Sequence, residues 1–214
     1  MKPYITVLRP AEAEYIVQKS RFLCACAPAA SAEEALAFLE QKRAQYKDAS
    51  HHCYAYIIGE NAGVMRYSDD GEPGGTAGLP IIEVMKRRGV VNAAVVITRY
   101  FGGVLLGAGG LTRAYAHCSA LALQAAGVCQ MHPTSQYLCE VAYPLWDRVQ
   151  HALQSLPARV ENVEFGTSVT FTLRVKQEDD ERVWQPLVAI TDGGVTYLKE
   201  DELMLPWLEE EKSE

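Results

Sequence analysis

The chain has 214 residues, 49% of them hydrophobic, with a formal charge of −7 at neutral pH. That length suits one large or two small domains, and the apolar share is enough to build real cores, which excludes a disordered chain, while the net negative charge argues against a general nucleic-acid binder. No uninterrupted run of eighteen apolar residues occurs and the start MKPYITVLRPAEAE has no charged-then-apolar leader, so a cytoplasmic protein without a membrane anchor is expected.

Tyr4 to Leu8 and Tyr15 to Gln18 have the β-rich composition of strands, and Arg21 to Ala27 continues the pattern. Ser31 is placed as an N-cap, with Glu34 completing a capping box. The helix it opens runs to about Lys47 and carries Leu36, Leu39, Arg43 and Tyr46 on the face that covers the sheet. Cys53 to Glu60, the turn ENAG and Val64 to Ser68 read as a hairpin. SDDGEPGGTAGLP has the turn chemistry of a loop, and Thr76 is the expected cap of a helix from Leu79 to Arg88. Val90 to Thr98 is a buried central strand. A glycine-rich connection follows it, and then an Ala-rich helix that starts at Gly109 and Gly110 and stops at Gly127.

Val128 to Met131 reads as a short strand, and HPTS (His132 to Ser135) as punctuation, so the domain boundary is placed there: 1–135, 136–207, and an acidic tail at 208–214. The second cycle is strand YLCEVAY, helix Leu145 to Ser155, strand ARVENVEF, strand SVTFTLRV, helix Glu178 to Thr191 and strand VTYLKEDELML. This βαββαβ order is that of a ferredoxin-like unit, and the fold class as a whole is α+β.

The stretch with the most chemistry is RYFGGVLLGAGGLTRAY, Arg99 to Tyr115. Gly102, Gly103, Gly107, Gly109 and Gly110 permit positive φ and close approach, and a helix start beside Arg99 and Arg113 presents unpaired N–H groups to an anion. Tight turns and close helix–sheet packing explain the same glycines equally well. Lys86, Arg87 and Arg88 fall in the interval from Val84 to Cys139 that holds no Asp or Glu, although burial alone also depletes acids. Tyr100 and Tyr115 interleave with the arginines, a mix suited to stacking bases but also common in cores. Asp69, Asp70 and Glu72 could serve as acid, base or Mg²⁺ ligands beside His52, or simply form turns. His51, His52 and Cys53 are adjacent in a strand and alternate faces, so they make no metal centre, and the six cysteines are scattered without a CxxC pair. Neither metal nor cofactor is expected. No nucleophile elbow, P-loop or dinucleotide fingerprint is present.

RYFGGVLLG followed by AGGLTRAY, preceded in order by KSRF at Lys19 to Phe22, HHCYAY at His51 to Tyr56 and SDDGEPGGTAG at Ser68 to Gly78, resembles the signature of the Impact/YigZ family. The resemblance implies a first domain of the ribosomal protein S5 domain 2-like fold, shared with domain IV of translation elongation factor G. It implies a second, ferredoxin-like domain similar to domain V of that factor. Eukaryotic relatives regulate translation under amino-acid starvation through protein partners, but no segment here matches their RWD partner-binding domain. Three functions follow as expectations. The first is a translation-associated regulator that binds RNA, the ribosome or a translation factor through the glycine-rich anion site. The second is an enzyme acting on a small phosphorylated or carboxylated metabolite. The third is a protein-interaction module, self-associating or not, without chemistry.

Overall fold

The computed structural model describes residues 2–207, so the expected tail at 208–214 lies outside the described residues. Two compact units emerge, Tyr4–Gln130 and Met131–Trp207, the second together with residues 2 and 3. The mixed composition of strands and helices makes the chain α+β. Among the described residues no helix is long and apolar enough to cross a membrane.

In the first unit, strands β2 (Ala11–Val17), β3 (Ser20–Pro28), β4 (His51–Ile58), β5 (Val64–Ser68) and β6 (Ala93–Tyr100) form a sheet in the order β2-β3-β6-β4-β5. Every pairing in it is antiparallel. The central strands are buried on both faces because both are covered. Helices α2 (Gly78–Arg87) and α3 (Gly107–Ala126) close the main core over one face, and α1 (Ala32–Gln45) closes a smaller one over the other. Strand β1 (Tyr4–Val7) lies outside this sheet and pairs with β7 (Val128–Val141). The β2–β3 hairpin turns on Gln18 (φ 46°) and Lys19 (φ 64°), two left-handed residues without a glycine, between the partners Val17 and Ser20.

Several expectations need correction. Strand β2 starts at Ala11 rather than Tyr15, since pairing of Ala11 with Cys26 overrides the weak β-propensity of AEAE. Helix α1 buries Ala35, Leu39 and Lys42, whereas Leu36 is exposed. Ser31 caps Glu34 as expected, but the Glu34 carboxylate reaches back to the Ala30 amide. Thr76 does not cap α2, because its hydroxyl donates to the Pro73 carbonyl. Asp69 caps that helix instead. The central strand begins at Ala93, since Asn92 takes positive φ (52°) and its side chain accepts from the Gly59 amide. HPTS is not punctuation: β7 runs through it unbroken, and the missing N–H of Pro133 falls just ahead of the ladder with β9, which starts at Thr134.

The second unit continues from β7 through α4 (Tyr143–Leu153), β8 (Ala158–Phe165), β9 (Val169–Lys176), α5 (Asp180–Ile190) and β10 (Val195–Trp207), with a turn of 3₁₀ helix before α5. Its strands order as β10-β7-β9-β8. The inward residues of β7 and β9, such as Tyr137, Cys139, Phe171 and Leu173, pack against Trp146, Val149, Trp184 and Leu187 of the helices. All six cysteines are buried and free. Burial raises the thiols of Cys26 and Cys139 to about 12.

Candidate functional site

Alternation along β6 sends Arg99 to the face under α2 and α3 and Tyr100 to the other. Arg99 stands in one row with Phe22 of β3 and His51 of β4, its register partners on either side. Arg99 is 4% exposed. Nη1 donates to Glu72 Oε1 at 2.7 Å and Nη2 to Ser20 Oγ at 3.2 Å, while the group lies 5.4 Å from the ring centre of Phe22 and 5.5 Å from that of Phe101. Nε is buried without an acceptor among the described residues. The Tyr115 hydroxyl, from α3, donates to the same Glu72 oxygen at 2.7 Å. Burial, with Cys53 and then Glu72 beside it, pushes that hydroxyl upward, so it stays a donor. Cys53 Sγ lies 3.0 Å from the Asp69 carbonyl and 3.3 Å from the Tyr115 oxygen, and burial raises its thiol, which disfavours a thiolate there.

The acids of the Asp69–Thr76 loop diverge rather than converge. Asp69 accepts from the amides of Gly75 (2.8 Å), Ala77 (3.0 Å) and Gly78 (2.8 Å) and so caps α2 from eight residues upstream. Burial alone would raise its carboxyl, but these amides outweigh it and hold the group below the usual carboxylate range. Asp70, left-handed at φ 45°, accepts from the His52 amide (2.6 Å) and from Arg43 (3.2 Å). Glu72, 8% exposed, points inward to Arg99 and Tyr115. Among the described residues no three His, Cys, Asp or Glu side chains come together as a metal site.

The two histidines part as alternation requires. His52 lies on the α1 face, its ring nitrogen 3.1 Å from Thr98 Oγ1, and burial, aided by Arg43 and opposed by Asp70, lowers its basicity. It is therefore His51, not His52, that stands beside Glu72, at 4.0 Å. Tyr100 bonds Asp48 on the α1 face as well. Lys86 pairs with Glu83, Arg87 donates to the Glu83 carbonyl, and Arg88 closes the C-terminus of α2. That end lies about 15 Å along the helix from the residues Asp69 caps. The structure thus separates Lys86, Arg87, Arg88, His52 and Tyr100 from the Arg99 cluster.

The glycines divide as well. Gly102 is a packing glycine: a Cβ there would stand 2.0 Å from the Lys19 carbonyl carbon, and its amide reaches Ser20 Oγ. Gly103 (φ 80°) and Gly107 (φ 68°) are open, with nothing near the Cβ position. Helix α3 begins at Gly107, one half-turn before the expected Gly109, and its N-cap, Leu106, supplies no side-chain acceptor. At Gly109 only the tip of Arg113 is near, at 3.8 Å, and Gly110 meets only Leu106. Arg113 is exposed and forms no ion pair among the described residues. Phe101, Val104 and Leu105 are exposed around this start, Leu105 by 84%. Lys19 is a cation the sequence reading overlooked; it is exposed, without an ion pair among the described residues, and its backbone presses on Gly102. Its place in the KSRF segment was the available signal.

Residues 18–123 match the Impact N-terminal domain, and residues 139–193 match a domain of unknown function, DUF1949. The IMPACT family member YvyE of Bacillus subtilis is 34% identical over 94% of this chain and 92% of its own length. The chain belongs to the IMPACT family. An IMPACT family member of Thermus thermophilus is 42% identical over 75% of the chain and 86% of that protein, and YigZ of Escherichia coli 32% identical over 77% and 82%. A solved structure, described as that of a hypothetical protein, superposes with a TM-score of 0.60 at 28% identity, over 94% of this chain and 98% of that one. For an IMPACT family chain of this length, the buried Glu72–Arg99–Tyr115 cluster belongs to the region matched as the Impact N-terminal domain.

Proposed function

We propose that this IMPACT family protein is a cytoplasmic, translation-associated regulator whose first domain holds phosphate groups of RNA, on the ribosome or free, at the start of α3. The observation that carries the reading is an exposed, uncapped helix N-terminus with an unpaired arginine nearly two turns in, its tip 3.8 Å from the Cβ position of Gly109. Such a start offers several free amides and the positive end of a helix dipole. Lys19 extends the same charge. Arg99 does not take part, being committed to Glu72. The architecture fits the translation link. Five antiparallel strands under α2 and α3 accord with an S5 domain 2-like domain, and the βαββαβ unit with strand order β10-β7-β9-β8 accords with a ferredoxin-like one.

The test exploits the difference between stability and binding. Gly109 has room for a side chain, and an aspartate in the first turn favours a helix while repelling an anion. Gly109→Asp combined with Arg113→Ala is expected to keep the fold and to weaken salt-sensitive co-sedimentation with ribosomes or RNA. Association unchanged by both substitutions would refute the reading. The protein-interaction alternative draws on Phe101, Val104 and Leu105, and predicts association that survives nuclease and is lost with Leu105→Ser. The metabolite-enzyme alternative is weakened, since Asp69 and Asp70 are bound elsewhere and Glu72 is tied through Oε1 to Arg99 and Tyr115.

A further inference from the structure

Glu72 spends only half of its carboxylate inside the protein. Oε1 receives both Arg99 Nη1 and Tyr115 OH, whereas Oε2 accepts no hydrogen bond among the described residues. The side chain is 3% exposed, yet Oε2 is not among the fully buried polar atoms without a partner, so this unused anionic oxygen can be reached from outside. Facing it at 4.0 Å is His51 Nε2. The other ring nitrogen, Nδ1, lies 2.8 Å from the Asp70 carbonyl oxygen, which can only accept, so Nδ1 carries the hydrogen. In the neutral ring Nε2 then presents a lone pair. In that tautomer the two atoms are a pair of acceptors that a donor placed between them would satisfy, and the ring, 24% exposed, opens the gap to solvent.

We propose that His51 and Glu72 form a binding site for a primary ammonium group. A donor nitrogen at the ordinary hydrogen-bond length of about 2.8 Å from both atoms bridges such a gap with an angle of roughly 90°, within reach of two of its three hydrogens. A hydroxyl has one hydrogen and satisfies one acceptor; a quaternary ammonium has none. Charge points the same way. The loop's three carboxylates meet only two guanidiniums, Arg99 and Arg43, and Asp69 is held by neutral amides. The ammonium belongs either to a free alkylamine or to a lysine side chain of another protein. The inference is independent of the anion surface at α3.

The experiment is a titration of the full chain, followed through the imidazole ¹H–¹⁵N signals of His51. The probes are n-butylammonium, a peptide with one lysine, and tetramethylammonium at equal ionic strength. The expected result is a saturable shift of Nε2 with the first two and none with the third. His51→Phe, followed through the backbone amides of Gly71 and Glu72, should weaken binding about tenfold, the worth of one hydrogen bond to a charged group. Glu72→Gln, which keeps Oε1 as acceptor and replaces Oε2 by an amide donor, should do the same. Should Glu72→Gln not fold, His51→Phe at the strand rim carries the test alone. Tighter binding of the peptide assigns a protein lysine, and tighter binding of n-butylammonium a free amine; both uphold the site. A tetramethylammonium response equal to that of the primary amines, no saturable shift with any probe, or undiminished affinity in His51→Phe would overturn it.

Discussion

The loops Asp69–Thr76 and Phe101–Leu106 look alike as sequence, both rich in glycine beside charged residues, yet the structure uses them in opposite ways. The first is pegged down by its own acids: Asp69 to α2, Asp70 to α1 and β4, Glu72 to β6 and α3. The second is anchored only at its base, where Gly102 presses on the Lys19–Ser20 turn, and beyond that its glycines, Val104 and Leu105 face outward. The lesson is that side chains which look catalytic can be structural ties, while the open surface is made of backbone and apolar side chains.

That contrast breaks most easily at Glu72. Glu72→Ala leaves the Arg99 guanidinium buried without its anion, and chemical denaturation should show a loss of about 3–5 kcal/mol. Next comes the base of the open loop. Gly102→Ala forces the backbone of Lys19 to move and should cost about 1–3 kcal/mol, whereas Gly103→Ala pays only for a left-handed alanine, about 1 kcal/mol. Equal effects at the two glycines, measured by thermal unfolding, would erase the distinction between base and tip. Asp69→Ala removes the cap of α2 and should cost about 1 kcal/mol at neutral pH. Because the folded carboxyl lies below its unfolded value of about 3.9, its contribution is complete above that pH and fades as pH falls through the folded value. The gap between wild type and Asp69→Ala should therefore close in acid. The smallest effect belongs to the open side: Arg113→Ala should leave stability within about 0.5 kcal/mol.

Much of this architecture was legible because it is local. The apolar run ending at Thr98, the alanine-rich periodicity of α3 and its Gly127 stop, and the second cycle of strands and helices all announce themselves in short windows. What could not be read is non-local. Asp69 caps a helix across an intervening loop, where Thr76 stood in the expected position. Glu72 and Arg99 are 27 residues apart, and nothing in either segment marks them as partners. Alternation established that His51 and His52 part, but only the placement of α1 decides which of them stands beside Glu72. HPTS misled because proline and serine punctuate most chains, yet here the proline falls just outside a ladder.

The Gln18–Lys19 turn carries a wider consequence. Two side chains sit in a backbone conformation that asparagine and glycine adopt with far less strain, at about 1–2 kcal/mol each for ordinary residues. An engineer seeking a more heat-resistant protein would replace this pair first, and would gain stability by deleting the exposed amine of Lys19, whose backbone packs on Gly102. Thermostabilised versions chosen only for melting temperature should therefore drift toward Asn-Gly at this turn and pay in partner affinity, a trade that a library sorted on both properties would expose.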